Sequence, residues 1–245
     1  MHFLQRLGTA TRVERDEFLL QVSSSKKVLH LGCVDSGMLD DRLSAGNLLH
    51  SRLDVVSKEL WGLDVDAQGV RRLQSEGFGH VYAGSVENPP LEIPRCYFDV
   101  IIAGEIIEHV RNAGSLLDSV AQLIAPDGVV VITTPNALRF YNPLPAVFGL
   151  ELTHPDHLSW YSPHTLRRTV ELSTLRVESL YVYCQTPQAK CNGRMGRLQS
   201  SARHLANFAA PAVHGVLVRL FPYLSDGLVL VARPSATPSE DDGKS

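Results

Sequence analysis

The sequence predicts an α/β fold in which helices cover both faces of a mostly parallel sheet. Apolar segments rich in β-branched residues alternate with segments of helical periodicity, which is the order of βαβ units. The apolar segments are continuous, as strands are when both faces of a sheet are buried. The 245 residues, 44% of them hydrophobic, suffice for one domain with a substantial core. We expect this domain over residues 1–233 and a disordered polar tail over 234–245.

The first half of the chain supplies five predicted strands with helices between them. The strands are Lys27–Leu31, Leu60–Asp64, His80–Ala83, Phe98–Ala103 and Gly128–Thr134. Helical periodicity places helices near Ala67–Ser75 and Gly114–Ile124. The turn Pro126-Asp127-Gly128 separates the second of these helices from the fifth strand.

The later part of the chain has a different character. It predicts a helix over Pro163–Leu172 and two more strands, Arg176–Cys184 and Leu228–Val231. Between these strands lies an insert over residues 185–225, which contains basic residues and no acid. The basic residues are Lys190, Arg194, Arg197, Arg203 and Arg219. Its apolar second half indicates a basic amphipathic helix. Three roles stay open: contact with an anionic membrane surface, a lid or packing element over the active site, and pairing of two subunits in a homodimer.

Composition excludes several classes of protein. The net charge of −3 gives no general attraction to nucleic acid, and no apolar run approaches the ~20 residues of a membrane span. The N-terminus lacks the pattern of a secretory signal, and the four cysteines form no Cys-x-x-Cys pair. We therefore expect a cytoplasmic protein with reduced thiols, peripheral to a membrane only if the insert binds one.

Small and acidic residues follow four strands at the end where open α/β sheets bind ligands. Strand one ends in Gly32-Cys33-Val34-Asp35-Ser36-Gly37, which lets a backbone approach a ligand closely. Asp64 ends strand two, where an acid can accept hydrogen bonds from the hydroxyls of a ribose. Ser85 and Val86 follow strand three and suit an adenine. Glu105, Glu108 and His109 follow strand four.

In this order the motifs resemble those of class I S-adenosylmethionine-dependent methyltransferases. Val28-Leu-His-Leu-Gly-Cys33 is similar to the first motif of that family, and Trp61-Gly-Leu-Asp64 to its ribose-binding segment. The block from Leu123 to Asn136 is similar to its fifth strand. The resemblance covers about residues 26 to 183 and the last strand. It implies a Rossmann-like seven-stranded methyltransferase fold whose last strand is antiparallel.

The same resemblance implies S-adenosylmethionine as the cofactor. The expected contacts are His30, Gly32, Cys33, Asp35, Asp64, Val65, Ser85, Val86, Gly104 and Glu105. Two positions depart from the family pattern. His30 stands where an acid is usual, and Val34 stands where a second glycine is usual.

Glu105, Glu108 and His109 end the most apolar strand abruptly. Residues i, i+3 and i+4 share one face of a helix or helical turn, so these side chains would converge on a divalent metal. Glu-x-x-Glu-His resembles two metal-dependent branches, the small-RNA 2′-O-methyltransferases and the ubiquinone-pathway O-methyltransferases, in which a downstream histidine completes the site. His157 is the first choice for that histidine and His154 the second. The alternative is that Glu105 contacts the cofactor while Glu108 and His109 start a helix.

The resemblance thus implies Mg²⁺, Mn²⁺ or Zn²⁺ held by Glu105, Glu108, His109 and His157. It also implies catalytic roles for His154, His157 and Glu105. The metal would lower the pKa of an acceptor hydroxyl and orient it.

The segment from His154 to Arg168 also resembles a bacterial methyltransferase group associated with surface-polysaccharide assembly. This implies a sugar or glycan hydroxyl as the acceptor. Trp160 and Tyr161 would then form a platform for the sugar or, alternatively, pack in the core. Other hypotheses are a quinone-pathway catechol, an RNA ribose, and a non-catalytic module that binds S-adenosylmethionine. The net charge of −3 argues against RNA.

Overall fold

The computed structural model of the protein describes residues 4–185 and 213–235. Its centre is an eight-stranded sheet in the order β1-β7-β8-β6-β5-β2-β3-β4. The strands are β1 Thr11–Arg12, β2 Lys27–Leu31, β3 Glu59–Asp64, β4 Val81–Ala83, β5 Phe98–Gly104, β6 Ile124–Pro135, β7 Leu175–Tyr183 and β8 Gly227–Pro234. The helices are α1 Arg15–Ser23, α2 Leu39–Ser44, α3 Leu49–Val56, α4 Ala67–Ser75, α5 Ala113–Leu123 and α6 Pro163–Glu171.

The predicted Rossmann-like methyltransferase architecture is confirmed. β2, β3, β4, β5 and β6 pair in parallel, and β8 is antiparallel to both β6 and β7. The two-residue β1, which the sequence analysis does not predict, pairs in parallel with β7 at the edge of the sheet. It raises the strand count from seven to eight without changing the architecture.

One predicted boundary differs because of a β-bulge. The turn residues Pro126-Asp127-Gly128 lie inside β6, which begins at Ile124 directly after α5. The pairing of β5 with β6 shifts register there, from Phe98 opposite Ile124 to Val100 opposite Val129. A bulge absorbs extra residues within a strand, so residues typical of a turn need not end the pairing.

Alternate residues of the strands build two apolar layers. Leu29, Leu31 and Ile101 pack on one face of the sheet with residues of α5 and α6. Val28 and Val100 pack on the other face with residues of α1 and α3. Side chains alternate between the faces of a strand, so continuous apolar strands fill both layers. The sheet is therefore covered on both sides, and its polar positions concentrate at the ends of the strands.

Most of the predicted insert lies outside the described residues. Residues 186–212, which include Lys190, Arg194, Arg197 and Arg203, are not described. Residues 236–245 of the predicted tail also lie outside the described ranges. Residues 213–220 of the insert are helical, and they expose Val216 and Leu220. Within the described ranges, no helix combines the length and apolar character needed to cross a bilayer.

Candidate active site

A cleft of about 1810 Å³ opens at the carboxyl ends of β2, β3, β4 and β5. Its walls contain all ten residues predicted to contact the cofactor. They come from four loops that are far apart in the sequence. The cleft then continues past the ends of β6 and β8, where Tyr141, His154, His157, His214 and Asp226 line it. The structure thus brings the predicted residues to one edge of the sheet, while their roles stay predictions.

The loop after β2 accommodates Val34 at the position where a second glycine is usual in the first motif. Gly32 has a φ of +72°, and a Cβ there would lie 2.6 Å from Cγ2 of Ile106. Val34 is fully buried, and its Cγ1 lies 2.1 Å from where a Cβ on Gly69 would be. The side chain at position 34 therefore packs against α4 in the space that Gly69 leaves free, which keeps it out of the cleft lining.

Asp64 fixes the geometry of this loop. Its buried carboxylate accepts hydrogen bonds from the backbone N–H of Val34 and of Asp66, each at 2.9 Å. Asp66 caps α4 by accepting from the backbone N–H groups of Gln68 and Gly69. Each carboxylate oxygen can accept more than one hydrogen bond, so Asp64 keeps capacity for the hydroxyls of a ribose.

Asp35, another predicted cofactor contact, is already engaged by this chain. Its carboxylate lies 2.5 Å from Nε of Arg42 on α2. Burial raises the pKa of Asp35, and the charge of Arg42 acts in the opposite direction. This ion pair anchors the loop against α2, so Asp35 shapes the cleft as well as lining it.

His30 is one half of a buried histidine pair. Its Nδ1 lies 3.3 Å from Nδ1 of His50 on α3, and both side chains are almost fully buried. Burial lowers the pKa of both residues, that of His50 to about 4, and their proximity further lowers the pKa of His30. Near neutral pH both histidines are therefore uncharged. His30 occupies the position at which the first motif usually has an acid.

Glu105 is held in a strained conformation by a hydrogen-bond network. Its φ is +54°, a left-handed value that a residue other than glycine rarely adopts. Oε1 accepts from the hydroxyls of Thr133 at 2.9 Å and Tyr183 at 2.8 Å. Burial and the charge of Glu105 raise the pKa of Tyr183 well above its usual value, so the phenol remains a donor.

Arg15 belongs to the same network and was not predicted. It lines the cleft from α1, and its Nε donates to Oγ1 of Thr133 at 3.2 Å. Burial by itself lowers the pKa of Arg15, but Glu105, Tyr183 and Asp16 together more than offset this, and the net shift is upward. The sequence carries no local signal for this contact, because Arg15 and Thr133 are 118 residues apart.

Glu108 does not share a helical face with Glu105. The segment after β5 is a bend and a turn, and the next helix begins only at Ala113. Oε2 of Glu108 accepts from the hydroxyl of Thr134 at 2.9 Å, whereas Oε1 is buried without a hydrogen-bond partner among the described residues. Burial, followed by repulsion from Glu105, raises the pKa of Glu108 to about 8. The expected shared helical face is therefore not formed, and the two carboxylates have separate hydroxyl partners. Their role as joint metal ligands with His109 stays a prediction.

Three histidines form a compact group at the rim of the cleft. Potential ligand atoms of His109, His154 and His157 all lie within 4.8 Å of one another. The backbone carbonyl of Glu108 holds the second segment in place by accepting from the N–H of Leu158 at 2.8 Å. Nδ1 of His157 is buried without a hydrogen-bond partner in the described part of the chain. Burial, with contributions from His109 and His154, lowers the pKa of His157.

The predicted metal ligands are thus only partly assembled in one place. His109 and His157 join this group, and His154 is its third member rather than a substitute for His157. Glu105 and Glu108 do not belong to it. The aromatic residues that follow have different environments. Tyr161 is buried in the core, Trp160 is half-buried against His157 and Arg139, and neither lines the cleft. The interpretation of Tyr161 as core packing is the one that its burial favours.

Comparison with known proteins agrees with this geometry. The family described as a methyltransferase domain matches residues 6–180, which is more than half of the chain. The ubiquinone biosynthesis O-methyltransferase of Dechloromonas aromatica is 28% identical over 183 residues, which cover 68% of this chain and 72% of that protein. The enzyme of the same name from Proteus mirabilis is 34% identical over 116 residues, covering 45% of this chain. The chain spans only 42% of the length of this second relative.

Solved structures share the fold at low sequence identity. An S-adenosylmethionine-dependent methyltransferase from Mesorhizobium loti superimposes with a TM-score of 0.53 at 14% identity, covering 89% of this chain and 95% of that one. The chain belongs to the methyltransferase-domain family, and its fold is that of S-adenosylmethionine-dependent methyltransferases.

Proposed function

As a member of this family, the chain is, we propose, an O-methyltransferase that transfers the methyl group of S-adenosylmethionine to a hydroxyl of a small acceptor. The observation that carries the proposal is the single cleft, in which the ten predicted cofactor contacts lie beside a histidine-rich end. Methyl transfer from a sulfonium is an in-line displacement that depends mainly on positioning. The cleft would hold the cofactor with carboxylates that are fixed by backbone N–H groups, and its histidines would act as bases toward the acceptor hydroxyl.

The cofactor half of the cleft suits an adenosine with a zwitterionic amino-acid chain. Asp64, Ser85 and Val86 all line the cleft, so Asp64 would accept the ribose hydroxyls and the other two would pack against the adenine. Arg15 and Glu105 present charges of opposite sign near the end of β5, as a carboxylate and an ammonium group require. Calorimetric titration with S-adenosylmethionine tests this assignment. The absence of binding would instead favour a module that retains the fold without the reaction.

The three-histidine group is proposed as a divalent metal site, and its donors favour Zn²⁺ over Mg²⁺. Imidazole suits zinc and other transition metals, whereas magnesium prefers oxygen ligands. Nδ1 of His157, a member of this group, is buried without a hydrogen-bond partner among the described residues and could serve as a ligand atom, which supports the proposal. When bound, the metal would polarise an acceptor hydroxyl. Glu105 and Glu108 would join it only by leaving their hydroxyl partners.

Zinc binding gives a direct test of this site. We expect His109→Ala to abolish stoichiometric Zn²⁺ binding, measured by calorimetry and by metal analysis after dialysis, because it removes one of three clustered ligands. His164→Ala is the matched control, since His164 is an exposed histidine of α6. Equal zinc binding by both variants, or full methyl transfer in chelator, would remove the metal from the proposal.

The acceptor is proposed to be a sugar or glycan hydroxyl, as the resemblance of the His154–Arg168 segment implies. The names of the ubiquinone biosynthesis relatives favour a second candidate, a catechol-type hydroxyl. Release of S-adenosylhomocysteine in the presence of nucleotide-linked sugars or of dihydroxybenzoates separates the two. A ribose of RNA is disfavoured by the net charge of −3.

Peripheral membrane contact through residues 185–225, and a homodimer, stay proposals. Residues 213–220 form a helical segment within the insert, and Val213 and His214 line the cleft, which supports the lid or packing interpretation. Co-sedimentation with anionic liposomes tests the membrane role, and light scattering tests the dimer.

A further inference from the structure

A second polar cluster lies in the cleft beyond the ends of β6 and β8. It is built around Asp226, which directly precedes β8 and is 3% exposed. Oδ1 of Asp226 accepts from the hydroxyl of Tyr141 at 2.5 Å, and Oδ2 accepts from the backbone N–H of Gln185 at 2.9 Å. This buried carboxylate is therefore oriented at both oxygens.

His214 faces the same carboxylate from the helical segment 213–220. Its Nε2 lies 3.6 Å from Oδ1 of Asp226, which is close for an ion pair and too long for a hydrogen bond. That nitrogen is buried and has no hydrogen-bond partner among the described residues. Catalytic hydrogen bonds are often long without substrate and shorten when it binds. A shortened contact would orient the imidazole through Nε2 and leave Nδ1 to accept a proton.

The cluster is connected to the cofactor half of the cleft. Gly227 follows Asp226, and it lies so close to Tyr183 that a Cβ on the glycine would be 2.1 Å from Cζ of the ring. The hydroxyl of Tyr183 donates to Glu105, which lines the cleft at the end of β5. Asp226 is thus linked, through one tyrosine, to a residue expected beside the cofactor.

The cluster is also separate from the three-histidine group. The guanidinium of Arg139 lies between them, 4.7 Å from the ring centroid of Tyr141 and 5.4 Å from that of Trp160. Trp160 in turn packs on His157, with ring centroids 5.7 Å apart. The two clusters therefore lie on neighbouring parts of the wall, so an acceptor in the cleft has two distinct sets of groups available.

We propose that His214 is the general base of methyl transfer and that Asp226 and Tyr141 position it. The proposal rests on the proposed function. Nδ1 of His214 takes the proton of the acceptor O–H while the oxygen attacks the methyl carbon. The C–O bond forms, the C–S bond breaks, and sulfur keeps the electron pair as neutral S-adenosylhomocysteine. The imidazolium that results is balanced by the Asp226 carboxylate.

The division of roles follows from the chemistry of the three groups. Burial and the bond to Asp226 raise the pKa of Tyr141 to about 12, so its phenol stays a hydrogen-bond donor. Asp226 already accepts two hydrogen bonds and is almost inaccessible. His214 lines the cleft and has a ring nitrogen that Asp226 does not face. Among these three residues, it alone is suited to receive the proton.

Nitrocatechol, a vicinal diol whose ionisation changes its absorption spectrum, is the probe for this step. It is titrated into the full chain saturated with S-adenosylhomocysteine, in chelator, over a range of pH. We expect the wild type to bind nitrocatechol saturably. The bound nitrocatechol should ionise at a lower pH than free nitrocatechol does in water. His214→Gln should lose that downward shift and, with any acceptor that is methylated, lower kcat at least 100-fold. Tyr141→Phe should reduce the shift partly.

Two controls separate this proposal from its alternatives. Calorimetry with S-adenosylhomocysteine should give the same Kd for the wild type and His214→Gln, and a wild type that does not bind it would refute the proposed function instead. His164→Ala, at an exposed histidine of α6 outside the cleft lining, should keep the ionisation shift in chelator. The general-base proposal fails if the wild type shows no saturable change, if His214→Gln ionises the probe as the wild type does, or if His164→Ala loses the shift as His214→Gln does.

Discussion

The cofactor half and the acceptor half of the cleft are built in different ways. In the cofactor half, at the ends of β2 and β3, the carboxylates of Asp64 and Asp66 accept from backbone N–H groups of nearby loops. In the acceptor half, which contains the three-histidine group and the Asp226 cluster, polar side chains from distant segments face one another. There the buried atoms Nδ1 of His157 and Nε2 of His214 have no hydrogen-bond partner in the described part of the chain.

The difference lies in how the polar groups of each half are satisfied within the chain. A buried polar atom without a partner costs roughly 1–3 kcal/mol, so such atoms persist where something else supplies the missing bond. In the cofactor half, backbone N–H groups already hold the carboxylates of Asp64 and Asp66 in place. Under the proposed function, a metal or an acceptor hydroxyl would supply the missing partners in the acceptor half.

The largest expected effect breaks the cofactor half at Asp64. Asp64→Ala removes the acceptor of two backbone N–H groups and the proposed ribose contact, so we expect the Kd for S-adenosylmethionine to rise about 100-fold, or about 3 kcal/mol. Asp66→Ala is the matched variant, because it removes the cap of α4 and one hydrogen bond from the hydroxyl of Ser36, but no predicted cofactor contact. It should lower the free energy of unfolding by about 1 kcal/mol and leave the Kd nearly unchanged. Equal binding by both variants, measured by calorimetry, would contradict the ribose assignment.

The second-largest expected effect is a loss of stability at the contact between Gly227 and Tyr183, which joins the two halves of the cleft. Gly227→Ala places a methyl group against the ring of Tyr183, so that this ring or β8 must shift. We expect the free energy of unfolding, measured with urea, to fall by about 2 kcal/mol. Gly215→Ala is the control, because a Cβ there meets no atom within 4 Å and the residue lies in the helical segment 213–220. That variant should gain about 0.5 kcal/mol from higher helix propensity. Similar losses in both would show that the tight contact at Gly227 is not decisive.

The smallest effect, taken over a single pH unit, is the pH dependence of the histidine pair beneath the cofactor half. The folded-state pKa of His50 is about 4, below its usual 6.5, so the unfolded chain binds more protons between these values. Stability contributed by the neutral imidazole is therefore present above pH 6.5 and is lost as the pH falls toward 4. The expected slope is about 1.4 kcal/mol per pH unit for one proton. Urea unfolding at several pH values should show a shallower slope for His50→Leu than for the wild type. An identical slope would mean that the pair is already charged or solvated when folded.

Much of the fold could be predicted from the sequence because the relevant signals are local. Continuous apolar segments predict β2, β3 and β5 to within one residue. Turn residues predict where strands end, except at the β6 bulge, where pairing with β5 overrides the turn chemistry of Pro126-Asp127-Gly128. Asp64 and Gly32, which line the cleft, could be predicted as candidates because ligands of open α/β sheets bind at the ends of strands.

The tertiary structure alone decided how the acceptor half is assembled. Spacing along the chain suggested that Glu105 and Glu108 act with His109, but a left-handed residue and a turn send the two carboxylates to Thr133 and Thr134. No periodicity connects Arg15 with Thr133, or His214 and Tyr141 with Asp226, because the fold brings these residues together from different elements. The sequence by itself therefore determined the strands and the cofactor edge, through local patterning. The long-range packing of loops decided which acids and histidines face one another.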